Sequence, residues 1–469
     1  MHINTRFLAI LALSLLFSGC ASGIAFADAA TLQDPDDPQA DIAKAEQVLK
    51  EDPNSYRAWY HRGYALFKLG RFNEASTAFK ESIRLNPKHE LAYVMLGHSY
   101  SRLDQFDDAR VAFDEAIKLN AKDLDYRRFR DSLSAYVKLR KDQNAALQPV
   151  LAAEGDNDYA ASVYTGIFSE ALVHHDFDLI ERAANEARAS KEKVGGGRWK
   201  LQLIYDGVNH PYISSSDYEW NQHIELLQQW AREKPNSATA NVALADCYNG
   251  FGWRARGTGF SNTVSGRNWQ LYRERLKLAQ AVLLAAKSQR VCPKWYAVMQ
   301  AIAIAQGWDN ESYENLFNES VQYEPTWYEY YKQKAMYLLP RWHGQPGELD
   351  AYVNRLAVDQ NRKDSPILYF LVTEAVGSLD VEVGQKPAAH YEVLKQGYFD
   401  LRKLYGVSSR DTDWVFSKAV QANDVDLAKE MLPNVKGTSS AVGSRVTKEM
   451  FDELAKKYAE QQKQQQKAP

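Results

Sequence analysis

Apolar residues recur at helical spacing through most of this chain, and in one stretch the same arrangement is written twice. The segments "YRAWYHRGYALFKLGRFNEASTAFKESIRLNPKH" (Tyr56 to His89) and "ELAYVMLGHSYSRLDQFDDARVAFDEAIKLNAKD" (Glu90 to Asp123) align over 34 residues without a gap. Trp59 falls on Tyr93, Gly63 on Gly97, Phe72 on Phe106, Ala75 on Ala109, Phe79 on Phe113 and Leu85 on Leu119. Each copy predicts a pair of antiparallel helices. Gly63 and Gly97, with the small Ala75 and Ala109 opposite, let the two helices approach, and Phe79 and Phe113 fill the space toward the next unit. Pro87 keeps the second helix from running on unchanged. Upstream, "DIAKAEQVLKEDPN" supplies the second helix of a preceding hairpin, ending at Pro53. Downstream, Asp125 to Arg140 puts Tyr126, Phe129, Leu133 and Tyr136 on one face and a basic remainder on the other, which predicts a capping helix with a solvated outer face.

The doubled unit resembles the tetratricopeptide repeat. The resemblance implies an all-α solenoid of helical hairpins whose first helices line a concave groove for a partner protein or peptide. On this chain that inward face comprises Arg57, Tyr60, Tyr64 and Phe67, then Leu91, Val94, His98 and Ser101. Family members that grip the C-terminal carboxylate of chaperones use Lys and Asn there. Here those places carry Tyr60 and Tyr64, so the groove is expected to take an extended or helical peptide segment instead. The alternative is that these tyrosines only pack against the rest of the chain.

From about Gly155 the strict period is lost, but helices separated by prolines continue at Pro235, Pro293 and Pro325. This predicts a larger, repeat-like helical domain over 155–435, after a first domain at 41–145. Two segments are expected as large loops: "NGFGWRARGTGFSNTVSGRNW" (Asn249 to Trp269) and "YLLPRWHGQPG" (Tyr337 to Gly347). With Asp176 to Gly207, they resemble a bacterial domain family of unknown function, usually found in exported or envelope proteins; the resemblance covers Gly155 to Leu432 and brings no activity with it. Trp253, Arg254, Arg256, Arg341, Trp342 and His343 are the candidate ligand pocket. Guanidinium groups fork onto carboxylate or phosphate, indoles wall the site, and His343 would add an imidazole to it. The competing reading has both loops packing over the solenoid with Arg stacked on Trp. The chain closes with a helical hairpin turning near Asn423-Asp424, one further helix over Val446 to Lys457, and a low-complexity tail within 436–469.

The first apolar run, Phe7 to Phe17 behind Arg6, is too short to span a bilayer and is followed by small residues, as in an export signal. Two cuts compete: before Cys20, which would carry a lipid anchor, or after Ala27, which would release a soluble periplasmic protein. The acidic, proline-containing 28–40 segment reads as a tether. A bacterial cell-envelope location follows from either cut. The three cysteines are Cys20, Cys247 and Cys292, with the last two either paired or simply buried thiols. A formal net charge of −3 argues against a globally basic nucleic-acid binder. No elbow, zinc-protease, P-loop or dinucleotide motif occurs, and "GTGFSN" (Gly257 to Asn262) is only a fragment of one. His174 and His175 point apart on a helix, so a solvated helix end is expected there and not a metal site. The expectation is a non-enzymatic envelope scaffold without cofactor or metal, which binds a protein or peptide. A small-anion binding protein is the alternative.

Overall fold

A computed structural model describes residues 37–142, 157–211, 215–257, 261–286, 292–379 and 388–435, together with Lys456. Twenty α-helices and one two-stranded ribbon make up the architecture of the described residues. Cys20, the Ala27 site and the Val446 to Lys457 helix with its tail lie outside them, apart from Lys456.

The first six helices are α1 (Pro38–Glu51), α2 (Tyr56–Lys68), α3 (Phe72–Leu85), α4 (Glu90–Arg102), α5 (Phe106–Leu119) and α6 (Leu124–Lys141). They pack in sequence as antiparallel hairpins. Helices α1, α2 and α6 start where a short polar side chain can accept a free backbone N–H: Asp37 accepts from Gln39 and Ala40, Ser55 from Ala58, and Asp123 from Asp125. Because Asp37 caps α1 and Pro38 takes its first turn, the last three residues of the expected tether are helical. The close approach inferred for the glycines is real. A Cβ on Gly63 would fall 2.8 Å from the Phe79 ring, and one on Gly97 would fall 2.7 Å from that of Phe113.

Then come α7 (Asn157–Val173) and α8 (Phe177–Ser190), the ribbon β1 (Lys193–Val194) and β2 (Arg198–Trp199), and α9 (Lys200–Val208). They are followed by α10 (Asp217–Glu233), α11 (Ala238–Arg256), α12 (Gly266–Ala285), α13 (Pro293–Gln306), α14 (Asn310–Tyr323) and α15 (Glu329–Tyr337). The last are α16 (Glu348–Val358), α17 (Ser365–Leu379), α18 (Tyr391–Tyr405), α19 (Ser409–Gln421) and α20 (Val425–Met431). The final turn falls where expected, with Asn423 at φ 58° and Asp424 capping α20.

Three local expectations change. Helix α6 does not end the array: α7 packs directly on it, with Gly166 against Ser132, and the main apolar core runs from Val94 to Met431. A smaller cluster, Ile42 to Ala112, holds the first hairpins. The Asn249 to Trp269 segment is helical at both ends, because α11 continues to Arg256 and α12 starts at Gly266. Gly250, read as a loop residue, instead lets α11 press on α10, where a Cβ would stand 3.0 Å from the Trp220 ring. His174 is not at a solvated helix end. It is stacked on Tyr136, with its side chain 5% exposed. Cys247 and Cys292 are both free, buried thiols, and Cys292 Sγ lies 3.2 Å from the Tyr205 hydroxyl. No described helix is long and apolar enough to cross a membrane.

Candidate functional site

The inward face of α2 and α4 divides into two halves. At the first turns, Arg57 is exposed beside the Tyr56 ring, and Leu91 is half-buried. Tyr60 is 8% exposed, held by Phe79, His89 and the parallel ring of Tyr64. Val94 is 4% exposed, inside the main core. Phe67 lies edge-on to Phe72 at 5.3 Å, with the Arg102 guanidinium over both rings.

Farther along, the same face meets the second half of the chain. Lys68 Nζ is 3.6 Å from Glu219 of α10 and 5.0 Å from the Tyr64 ring, and the Tyr64 hydroxyl also hydrogen-bonds Glu219. Burial and the Glu219 charge push the Tyr64 phenol well above its ordinary range. Glu219 has a second duty, because its carboxylate accepts from the Ser216 backbone N–H at 2.8 Å and so closes the capping box of α10. At α4, Ser101 donates to Glu170 of α7 at 2.8 Å, and His174 lies 3.2 Å from the same hydroxyl. Burial pushes the Glu170 carboxyl up, but the His174 and Ser101 hydrogen bonds and the nearby His98 and Arg102 outweigh it and hold it low. His98 sits between the rings of Phe113 and Phe129, at 5.1 and 4.7 Å, and burial lowers it to about 4. Thus Tyr64, His98 and Ser101, assigned to a groove from the sequence, face helices of their own chain. The partners they meet, Glu170, His174 and Glu219, carry no local signal in the sequence.

The Arg/Trp segments do come together, as an aromatic cluster. Trp253 meets Tyr272 edge-on at 5.3 Å and Trp342 at 5.6 Å. The Arg256 guanidinium lies over the rings of Trp253 and Trp269 and donates to the Gly257 carbonyl at 3.1 Å. Arg254 turns away: it pairs with Asp217 at 2.8 Å and donates to the Ser215 carbonyl. His343 Nε2 is 2.8 Å from the Ile304 carbonyl, beside the Tyr337 ring. Arg341 is exposed at the edge of this turn. The turn itself needs Gly344, since a Cβ there would fall 1.9 Å from the Leu338 carbonyl oxygen. Arg254 and Arg256 therefore already spend donors on protein groups.

A buried knot was also illegible. Lys294 of α13 pairs with Asp246 of α11 at 3.0 Å, and Asn209 donates to the same carboxylate at 2.9 Å. Burial lifts the neighbouring Asp206 to about 7. Its members lie far apart in the chain, and no spacing rule joins them. Among the described residues, no group of three or more His, Cys, Asp or Glu is placed to hold a metal ion.

Comparison with known proteins bears on the first hairpins. The family described as tetratricopeptide repeat matches residues 56–89, and again residues 91–123. The protein prenyltransferase alpha subunit repeat matches residues 38–69, across α1 and α2. No curated protein sequence matches significantly. Among solved structures, yeast Tom70 is similar at 13% identity and a TM-score of 0.30, covering 91% of this chain and 92% of that one. The P58(IPK) TPR domain is similar at 12% identity and a TM-score of 0.18, with 91% and 94% covered. The structure of Naa15/Naa10 bound to HypK-THB gives 12% and 0.21, with 85% and 65% covered. Superpositions that loose support no inference. What the helices, the glycine contacts and the repeat matches together establish is that this chain carries two tetratricopeptide repeats, at 56–89 and 91–123, inside a longer all-α array.

Proposed function

We propose that this protein is a bacterial cell-envelope scaffold that binds a partner protein or peptide at the open end of its tetratricopeptide concave face and carries out no chemistry of its own. The observation that supports it is the tandem pair of repeats, whose first helices present Arg57 to solvent beyond the zone engaged by α7 and α10. The Gly155 to Leu432 resemblance to domains of exported proteins, and the signal-like segment ending near Cys20, argue for the envelope, with Cys20 as the lipid-bearing residue. The second reading, an anion pocket on the Arg/Trp segments, is weakened by the engagement of Arg254 and Arg256 with protein groups.

A photo-crosslinking amino acid at position 57, followed by purification from envelope fractions, tests the scaffold. One recurring crosslinked partner is expected, and in a separate pull-down without the crosslinker its recovery should fall at least fivefold with Arg57→Glu relative to the natural protein. An unchanged partner set in Arg57→Glu would overturn the assignment of the open end. In the same cells, globomycin is expected to leave a slower-migrating precursor, and unaltered processing would exclude the anchor on Cys20.

A further inference from the structure

Lys193 stands at the end of a rigid ribbon. Strands β1 and β2 pair Lys193 with Trp199 and Val194 with Arg198 around three glycines. Gly196 and Gly197 have φ of 74° and 68°, conformations that other residues rarely adopt. The Gly196 N–H donates to the Gly406 carbonyl at 3.1 Å, which ties the ribbon to the end of α18, and a Cβ on Gly197 would press on Tyr328 and Leu401. So placed, the Lys193 ammonium lies 3.6 Å from the centre of the Tyr328 ring and 5.3 Å from that of Tyr405.

The neighbouring acids are committed elsewhere. Glu324 pairs with Lys191 at 2.7 Å, Asp364 with Arg362 at 2.9 Å, and Glu192 with Lys200 at 2.5 Å. Arg362 is further pinned by donating to the Tyr331 hydroxyl and the Pro325 carbonyl. Lys193 makes no ion pair among the described residues. It is a half-buried cation over two aromatic faces, attracted by the Asp364 and Glu324 carboxylates, whose own ion pairs are with Arg362 and Lys191. Burial already draws its pKa down to about 8. In front of it opens a cleft of about 790 Å³, walled by the ribbon, the α14–α15 turn, the α16–α17 turn and the last turn of α18. Lys363 adds positive charge at the rim, while Tyr405 and the 60% exposed Leu404 give an apolar wall.

We propose that this cleft binds a small organic monocarboxylate, with its carboxylate on the Lys193 ammonium and its apolar body against Tyr405 and Leu404. The cleft lining sets Lys191, Lys193, Arg362 and Lys363 against the carboxylates Glu192 and Asp364, an excess of positive charge that suits an anion, and the aromatic and aliphatic wall selects an organic ligand over an inorganic ion. The site is independent of the partner surface near Arg57, and it draws on none of the Arg/Trp segments.

The probe is 4-fluorophenylacetate, followed by fluorine NMR on the full chain. Saturable binding is expected, weakened at least tenfold in Lys193→Met and unchanged in Arg256→Met. The affinity should fall as pH rises past 8, where the free amine loses its proton, and the neutral 4-fluorophenylacetamide should bind at least tenfold more weakly. As a check that needs no variant, acetylation of Lys193 by an N-hydroxysuccinimide ester, read by mass spectrometry, should slow several-fold with the carboxylate present, while exposed Lys363 is less protected. Equal binding of the amide, equal binding by natively folded Lys193→Met, or acetylation of Lys193 unaffected by the carboxylate would each overturn the proposal.

Discussion

His98 shows how the role of one side chain depends on what lies opposite it. Its position in α4 is that of a groove residue, yet it meets the rings of Phe113 and Phe129 with Glu170, Arg102 and Arg128 nearby. Burial disfavours the imidazolium and places its pKa at about 4, against about 6.5 for an unperturbed histidine. The unfolded chain therefore binds a proton that the folded chain refuses between those two values. Stability must fall as pH drops from about 6.5 toward 4. His223, also lowered to about 4 by burial, contributes in the same direction. The thermal midpoint should accordingly decline across that window. In His98→Leu the decline should be shallower, and a slope equal to that of the natural protein would count against a neutral buried His98.

The repeating hairpins depend on glycine meeting phenylalanine. In both repeats the first helix lacks a Cβ where the ring from the second helix lies flat against it. Gly97→Ala would put a methyl carbon 2.7 Å from the Phe113 ring, a fully buried side chain with nowhere to shift. A loss of about 1–3 kcal/mol in urea-induced unfolding is expected, as for overpacked cores. Phe113→Leu in the Gly97→Ala background should cost less than it does alone, because the two changes share one space. Simple additivity would show that the contact is looser than described. The recurrence of both residues at one period was legible from the sequence, but not that each glycine meets the phenylalanine of its own hairpin, which the spacing assigned to the next unit. Helix α11 was misread over its last turns for a related reason. Gly250 serves contact with α10 and Gly252 faces α12, and composition alone cannot tell a packing glycine from a turn glycine.

Seen whole, the chain folds back on its own first repeats. The Lys68–Glu219 and Ser101–Glu170 contacts close the far half of the concave face, and the main core continues from the second repeat to α20. Lys68 is nearly buried and Glu219 partly so, so their pairing is worth about 1 kcal/mol, more than a fully exposed pair. Lys68→Glu should therefore loosen α10 from the repeats and lower the thermal midpoint, and added Lys68→Glu/Glu219→Lys should recover most of the loss despite the altered capping box of α10. If the double reversal is no better than the single one, the contact does not hold the two halves together.

The sequence by itself determined the hairpins, their 34-residue period and the close helix approach at the glycines, because those rest on spacing within one or two helices. Spacing puts Arg57, Tyr60, Tyr64 and Phe67 on one side of α2, and Leu91, Val94, His98 and Ser101 on one side of α4. Only the tertiary structure decided what that face meets, that Arg254 is spent on Asp217, and that four distant segments close a cleft around Lys193. The physical reason is that periodicity reports which side of a helix is covered but not by what. Charge pairing across the array depends on the superhelical path of the intervening helices, which no local pattern encodes.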